Sequence, residues 1–215
     1  MAEQLDNNEL DNIKLLWKKY GSKLVTLICV ILILIIAWQY WQKRKLENNV
    51  QAAELYQNLA LVADKASSNS EAILNQAQNL ITLCPKSIYA DFARLEIAKQ
   101  SVLKNQLDQA AVSLKQVADS TLNPNLQAIA KLRLARVELA QNKIADAIAT
   151  LNSITLAGFS LSSNMLLGDA YFANKEYAKA KSYWQSALSE ANKPELANIK
   201  SLLQMKIDNL AALSK

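Results

Sequence analysis

The chain begins polar and then turns apolar without a break. Leu24 to Ala37 reads LVTLICVILILIIA, and Thr26 is its only polar side chain. Trp38, Gln39, Tyr40 and Trp41 follow directly. From Leu24 to Trp41 an α-helix would be roughly 27 Å long at ~1.5 Å per residue. A hydrocarbon core is ~30 Å thick, so this stretch predicts a membrane-spanning helix over 21–41. Trp17 and Tyr20 precede the run, and Trp38, Tyr40 and Trp41 close it. Rings with a polar handle belong at the two interfaces of a bilayer. A cleaved signal peptide fits less well. The leading segment carries Glu3, Asp6, Glu9 and Asp11, and no small-x-small site follows the run. A buried helix of a soluble core would leave the aromatic flanks unexplained. Residues 1–20 are read as a polar N-terminal tail.

Beyond residue 42 the pattern changes to amphipathic segments of helical period, separated by short polar turns. Helices are expected at about 47–65, 71–83, 87–104, 107–118, 123–140, 144–155, 160–173, 176–190 and 195–213. Ser67-Ser68-Asn69-Ser70 interrupts the first two, and Pro85 stops the second. No Pro or Gly falls between Trp41 and Val50, so the anchor is expected to run on into the first helix of the body. Short turns force neighbouring helices to run antiparallel.

The hairpins repeat. Leu107–Val117 aligns with Ile144–Ile154 at an offset of 37, and the latter with Tyr177–Ala187 at an offset of 33. Small or apolar residues coincide at Ala110, Ala147 and Ala180, and again at Leu114, Leu151 and Trp184. Ala98, Ala135 and Gly168 share one register in the preceding helices. Two helices every 33 to 37 residues is the tetratricopeptide period, nominally 34. The last unit is sharpest: Leu167-Gly168-x-x-Tyr171, then Ala180, Trp184 and Ala187. The small residues mark close helix crossings, and Tyr171 and Trp184 fill the space beside them. Asn164 departs from the motif, which often has Trp there, and Pro194 comes later than the usual Pro. The expected fold is all-α: one N-terminal transmembrane helix, then a tetratricopeptide-like right-handed α-solenoid of helix hairpins over 42–215. Its repeats lie at roughly 87–120, 123–156 and 160–193, followed by a capping helix at 195–213. A non-repeating helical bundle is the simpler alternative.

Composition narrows the chemistry. The 215 residues include no His, 3 Gly and 2 Cys. A Ser-His-Asp or Cys-His pair is excluded, as is a phosphate loop, and two Cys cannot alone complete a structural zinc site. Glu54, Glu96, Glu138 and Asp169 form no convincing acid–base pair, so an enzyme, a cofactor and a metal are not expected. The net charge of +5 is scattered singly, without a basic stripe, and gives nucleic-acid binding little support. Cys29 lies in the apolar run and Cys84 at a helix end, too far apart for a disulfide to be expected. Lys14, Lys18, Lys19 and Lys23 precede the span, and Lys43, Arg44 and Lys45 follow it. The positive-inside rule is nearly tied on those counts.

Over nearly its whole length the chain resembles the YfgM-like ancillary subunit of the bacterial SecYEG translocon. The block Trp17-Lys18-Lys19-Tyr20-Gly21 directly before the anchor is the most specific likeness. The region of Tyr56 and the step Cys84-Pro85-Lys86-Ser87-Ile88-Tyr89-Ala90 add to it. The resemblance implies a single-pass protein of the bacterial inner membrane, N-terminus cytoplasmic and C-terminal domain periplasmic. It implies association with the SecYEG translocon and a PpiD-like anchored chaperone, and a role in passing secreted or outer-membrane proteins to periplasmic chaperones. A negative regulatory adaptor of an Rcs-type envelope-stress pathway is the alternative it leaves.

A solenoid of helix pairs presents a concave groove lined by the first helix of each pair. The repeat register places Phe92, Leu95, Lys99 and Val102 there in one unit, and Ile129, Leu132, Arg136 and Leu139 in the next. Met165, Asp169 and Phe172 follow in the last. These residues are the expected groove for a peptide or partner. Lys99, Arg136 and Asp169 are in register with one another. The terminal helix, with Met205, Ile207 and Leu210, either packs back as a cap or offers an apolar face to a second copy.

Overall fold

The computed structural model describes residues 2–64 and 70–213. Side chains of most residues before Lys23, and of those after Leu210, lie outside that description. The side chains of Trp17 and Tyr20, read as interface anchors, therefore fall outside the description. No strand occurs among the described residues. The chain divides into two compact units, Met1–Val50 and Gln51–Lys215.

The first element, α1, is Ala2–Asp64. One helical element thus carries both the apolar run and the first helix of the body. Its described part from Val25 is apolar enough to cross a membrane, and the apolar window is not buried against protein. Eleven of the fourteen residues from Leu24 to Ala37 are Leu, Ile or Val. At roughly −0.3 to −0.6 kcal/mol each, their insertion is favourable by several kcal/mol. In water the same exposed surface, from Val30 through Ile36, would have no partner. Trp38 and Trp41 stand three residues apart with ring centroids at 5.6 Å.

The second unit is a succession of hairpins: α2 (Ser70–Leu83), α3 (Ile88–Leu103), α4 (Leu107–Ser120), α5 (Pro124–Ala140), α6 (Ile144–Asn152), α7 (Ser160–Ala173), α8 (Tyr177–Glu190) and α9 (Ala197–Leu213). Short 3-10 turns at Ala157–Phe159 and Pro194–Leu196 lead into α7 and α9. Each helix packs chiefly on its chain neighbours. That is the quasi-one-dimensional order of a repeat protein. The all-α, tetratricopeptide-like reading therefore holds.

Local sequence explains where helices start. Ser87 caps α3 by accepting from the Ala90 N–H at 3.1 Å. Asn123 caps α5 by accepting from the N–H groups of Asn125 and Leu126 at 3.0 and 3.1 Å, with Pro124 at the first helical position. These caps satisfy amides that have no partner inside the helix.

The turn inside each hairpin is one motif used three times. Asn105, Asn142 and Lys175 have φ of 57°, 62° and 63°. The next amide reaches back five residues in every case. Gln106 N–H donates to Ser101 O at 2.8 Å, Lys143 N–H to Glu138 O at 2.8 Å, and Glu176 N–H to Tyr171 O at 2.9 Å. This is a Schellman closure around a left-handed residue. The three positions are again 37 and 33 apart, so the backbone keeps the repeat register of the side chains. In the third turn Asn174 lies beside the left-handed position, which falls on Lys175. The Asn174 amide instead donates to Glu176.

Four apolar clusters follow one another along the unit. The first joins Leu59 of α1 with Ile73, Ala77 and Leu80 of α2 and Ala90, Ala93 and Ile97 of α3. The second joins Ala98 of α3, Ala110, Leu114 and Val117 of α4 and Ala130, Leu134 and Val137 of α5. The third contains Leu132, Ala135, Ala147, Leu151, Leu166 and Leu167. The last contains Ala180, Trp184 and Ala187 of α8 with Leu203, Ile207 and Leu210 of α9. The α9 helix packs back on α8 through these residues and leaves Met205 exposed.

Candidate functional site

The register positions read from the sequence fall into two environments. Ala110, Ala147 and Ala180 are fully buried, as are Ala135 and Ala187, and Ala98 is nearly so. An alanine there lets two helix backbones approach where a longer side chain would hold them apart. Gly168 does the same more severely, since a Cβ on it would lie 2.2 Å from Trp184 Cδ1. Tyr171 stacks on Tyr183 with ring centroids at 5.2 Å and planes 7° apart. Lys179 lies 5.0 Å over the Tyr171 ring.

The groove positions separate further. Lys99 and Arg136 come together across one cavity of about 410 Å³ between α3, α4 and α5. Leu95, Ala98, Leu107, Leu114 and Val137 form its apolar floor, and Val102, Leu103 and Arg133 complete the rim. Leu103 is 71% exposed, an apolar side chain held in water at the mouth. Phe92 lies against the α3–α5 core and touches the rings of Tyr56 and Tyr89, with centroids at 5.5 and 6.3 Å. Leu132 is buried in the third cluster and Met165 packs against the last. Phe172 is half exposed beside Tyr177 and Trp184.

Asp169 has a different place from its register partners. Its Oδ1 accepts from the Trp184 indole N–H at 2.9 Å and from the Lys206 ammonium. Lys206 also lies 5.5 Å over the Trp184 ring. One carboxylate thus joins α7, α8 and α9. Sequence reading did not include Lys206, which comes from a helix outside the repeats.

Arg133 was also missed, although a signal existed. It lies three residues before Arg136 on the same helix, which places the two on one face. Lys99 is partly neutralised by Glu96 at 3.2 Å. Among the described residues, Arg133 and Arg136 have no carboxylate partner. The lining contains no Asp or Glu. Some cations elsewhere are paired: Arg94 with Asp91 at 3.1 Å, and Lys143 with Asp108 at 3.6 Å.

Glu138, on α5, has its carboxyl shifted by its surroundings. Burial pushes it above the usual carboxylate range, and Asp146 adds to the rise. A hydrogen bond with Thr150 and the charges of Lys115 and Lys143 oppose it. Its Oε2 is buried with no hydrogen-bond partner among the described residues. Among those residues no group of three or more His, Cys, Asp or Glu could hold a metal ion.

What this arrangement offers chemically is recognition: a concave apolar floor, fixed positive charge at its rim, and helices locked by small-residue crossings. The fold and cleft define a repeat-built binding protein carried on a membrane helix. The comparisons narrow that class. A family model described as a tetratricopeptide repeat-like domain matches residues 14–212. An ancillary SecYEG translocon subunit of Neisseria gonorrhoeae is 31% identical, covering 98% of this chain and 100% of that one. The Escherichia coli K12 protein of the same description is 28% identical over 96% of this chain and 97% of its own. The one from Haemophilus influenzae is 24% identical over 95% and 97%. No solved structure matches the chain. The chain belongs to the family of ancillary SecYEG translocon subunits and carries its tetratricopeptide repeat-like domain.

Proposed function

We propose that this protein is a membrane-anchored scaffold at the SecYEG translocon. Residues 21–41 cross the inner membrane, 1–20 face the cytoplasm, and 42–215 form the periplasmic binding domain. The observation that carries this reading is the likeness to ancillary SecYEG translocon subunits from end to end, anchor and repeats together. A likeness confined to the repeats would speak only for a common binding fold. The domain receives segments of secreted or outer-membrane proteins and passes them to periplasmic chaperones, with a PpiD-like anchored chaperone as its neighbour. The exposed Leu202 and Met205 of α9 supply a face on which a second copy could pair.

A photo-crosslinking residue at Ile33, in native membranes, tests the scaffold reading. Ile33 is exposed on the apolar run. Adducts with translocon subunits or an anchored chaperone, identified by mass spectrometry, are the expected result. Adducts with lipid alone, together with loss of copurification, would overturn it.

A further inference from the structure

The cleft between α3, α4 and α5 says more about what is bound, and this step rests on the scaffold reading. Its floor is aliphatic and its rim is cationic, with no acid among the lining residues. Burying two exposed arginines beside leucines without an anion would be costly, so an occupant must bring the negative charge. Lys99 already has Glu96. The uncompensated charge therefore lies on Arg133 and Arg136, side by side on one face of α5. A guanidinium presents a planar fork of N–H donors that matches a carboxylate.

We propose that this cleft docks an acidic, apolar segment of a partner polypeptide. An apolar side chain of that segment rests on Leu95, Leu107 and Leu114. A flanking carboxylate meets Arg133 and Arg136. Charge complementarity selects this occupant over a neutral one. The concavity selects it over a membrane: an anionic bilayer carries the same charge, but its flat face cannot reach a recessed floor. The volume of about 410 Å³ falls within the range of sites that enclose small groups. Exposed Val102 and Leu103 at the mouth extend the apolar contact beyond a single side chain.

The test uses the full chain in phosphatidylcholine nanodiscs and two rhodamine-labelled peptides, Ac-AELLDELA-amide and its neutral counterpart Ac-AQLLNQLA-amide. Binding is read by fluorescence anisotropy. The acidic peptide is expected to bind about tenfold more tightly, the scale of one charge-assisted hydrogen-bonded contact. Raising the salt should reduce that preference. The double variant Arg133→Gln/Arg136→Gln should abolish it. Val102→Glu, at an exposed rim position, should weaken the acidic peptide selectively. Equal binding of both peptides, binding of neither, or a preference indifferent to the arginine pair would overturn the proposal. So would arginine-dependent binding to phosphatidylglycerol vesicles without any peptide preference, which would make the patch a lipid contact. If the peptide effects fail while Ile33 still crosslinks to the translocon, the docking proposal alone is lost. If the crosslink fails while the preference persists, the scaffold reading is lost and the chemistry of the cleft stands.

Discussion

Gly168 and Trp184 share one space: the indole of Trp184 occupies the position where a side chain on residue 168 would begin. A Cβ built on Gly168 would stand 2.2 Å from Cδ1 and 2.3 Å from Nε1 of that ring. The ring has little freedom to retreat. Trp184 is 3% exposed, and its N–H donates to Asp169. The helix α7 gives up the propensity of an ordinary residue at this site so that α8 can lie close.

The first prediction follows from that contact. In an open helix interior, Gly→Ala stabilises by about 1 kcal/mol. Here overpacking, at about 1–3 kcal/mol or more, outweighs the gain. Gly168→Ala is expected to lower the denaturation midpoint. Trp184→Ala alone should cost about 3–5 kcal/mol. The double variant should lose less than the sum, because the clash requires both residues. Denaturant melts of all three variants, followed by circular dichroism, decide this. Strict additivity would show that the crossing is loose.

Asp169 should behave as a joint between α7, α8 and α9. Asp169→Ala leaves the Trp184 indole N–H and the Lys206 ammonium without their acceptor. The expected loss is about 1–3 kcal/mol, with the Asn variant losing less. Hydrogen exchange should show reduced protection concentrated in α9. A uniform change along the domain would count against a local joint.

The three left-handed turn positions differ in residue type, and that difference can be measured. Asn tolerates positive φ better than Lys. Lys175→Gly is expected to stabilise by about 0.5–1 kcal/mol, some 1–4 °C for a domain of this size. Asn142→Ala, at the equivalent turn, should destabilise. A calorimetric Tm for each variant is sufficient, and a fall for Lys175→Gly would refute the strain argument.

Glu138 predicts a pH dependence with a definite sign. Its folded pKa is raised above the ordinary 4.5, chiefly by burial. The folded state therefore holds the proton more tightly than the unfolded chain. Stability from this group declines as pH rises through the unfolded value and levels off above the folded one. Glu138→Gln removes that decline. The variant should be slightly more stable than the parent near neutral pH, and only slightly, because solvent screens a partly exposed group. Below the unfolded value the advantage should vanish. Urea melts across pH 3.5–7.5 measure the difference, and an advantage growing toward acid would reverse the sign.

Much of the molecule was readable before any coordinates. Helical period, scarce glycine and the placement of Pro85 determine where helices run and stop, because those effects act within a few residues. The 33- and 37-residue offsets set the repeat register, since Ala110, Ala147 and Ala180 must each occupy a close crossing. The apolar run from Leu24 declares itself because only a membrane would accept it. The groove was less legible. Lys99, Arg136 and Asp169 are equivalent in register, yet their surroundings differ. The cleft gathers Lys99, Arg136 and the unremarked Arg133 because α3 and α5 both pack on α4. Asp169 is held by Trp184 and by Lys206, which α9 brings from outside the repeat. Local periodicity determines which face of a helix a residue occupies. What waits opposite that face depends on distant segments, and only the tertiary structure brings those into contact.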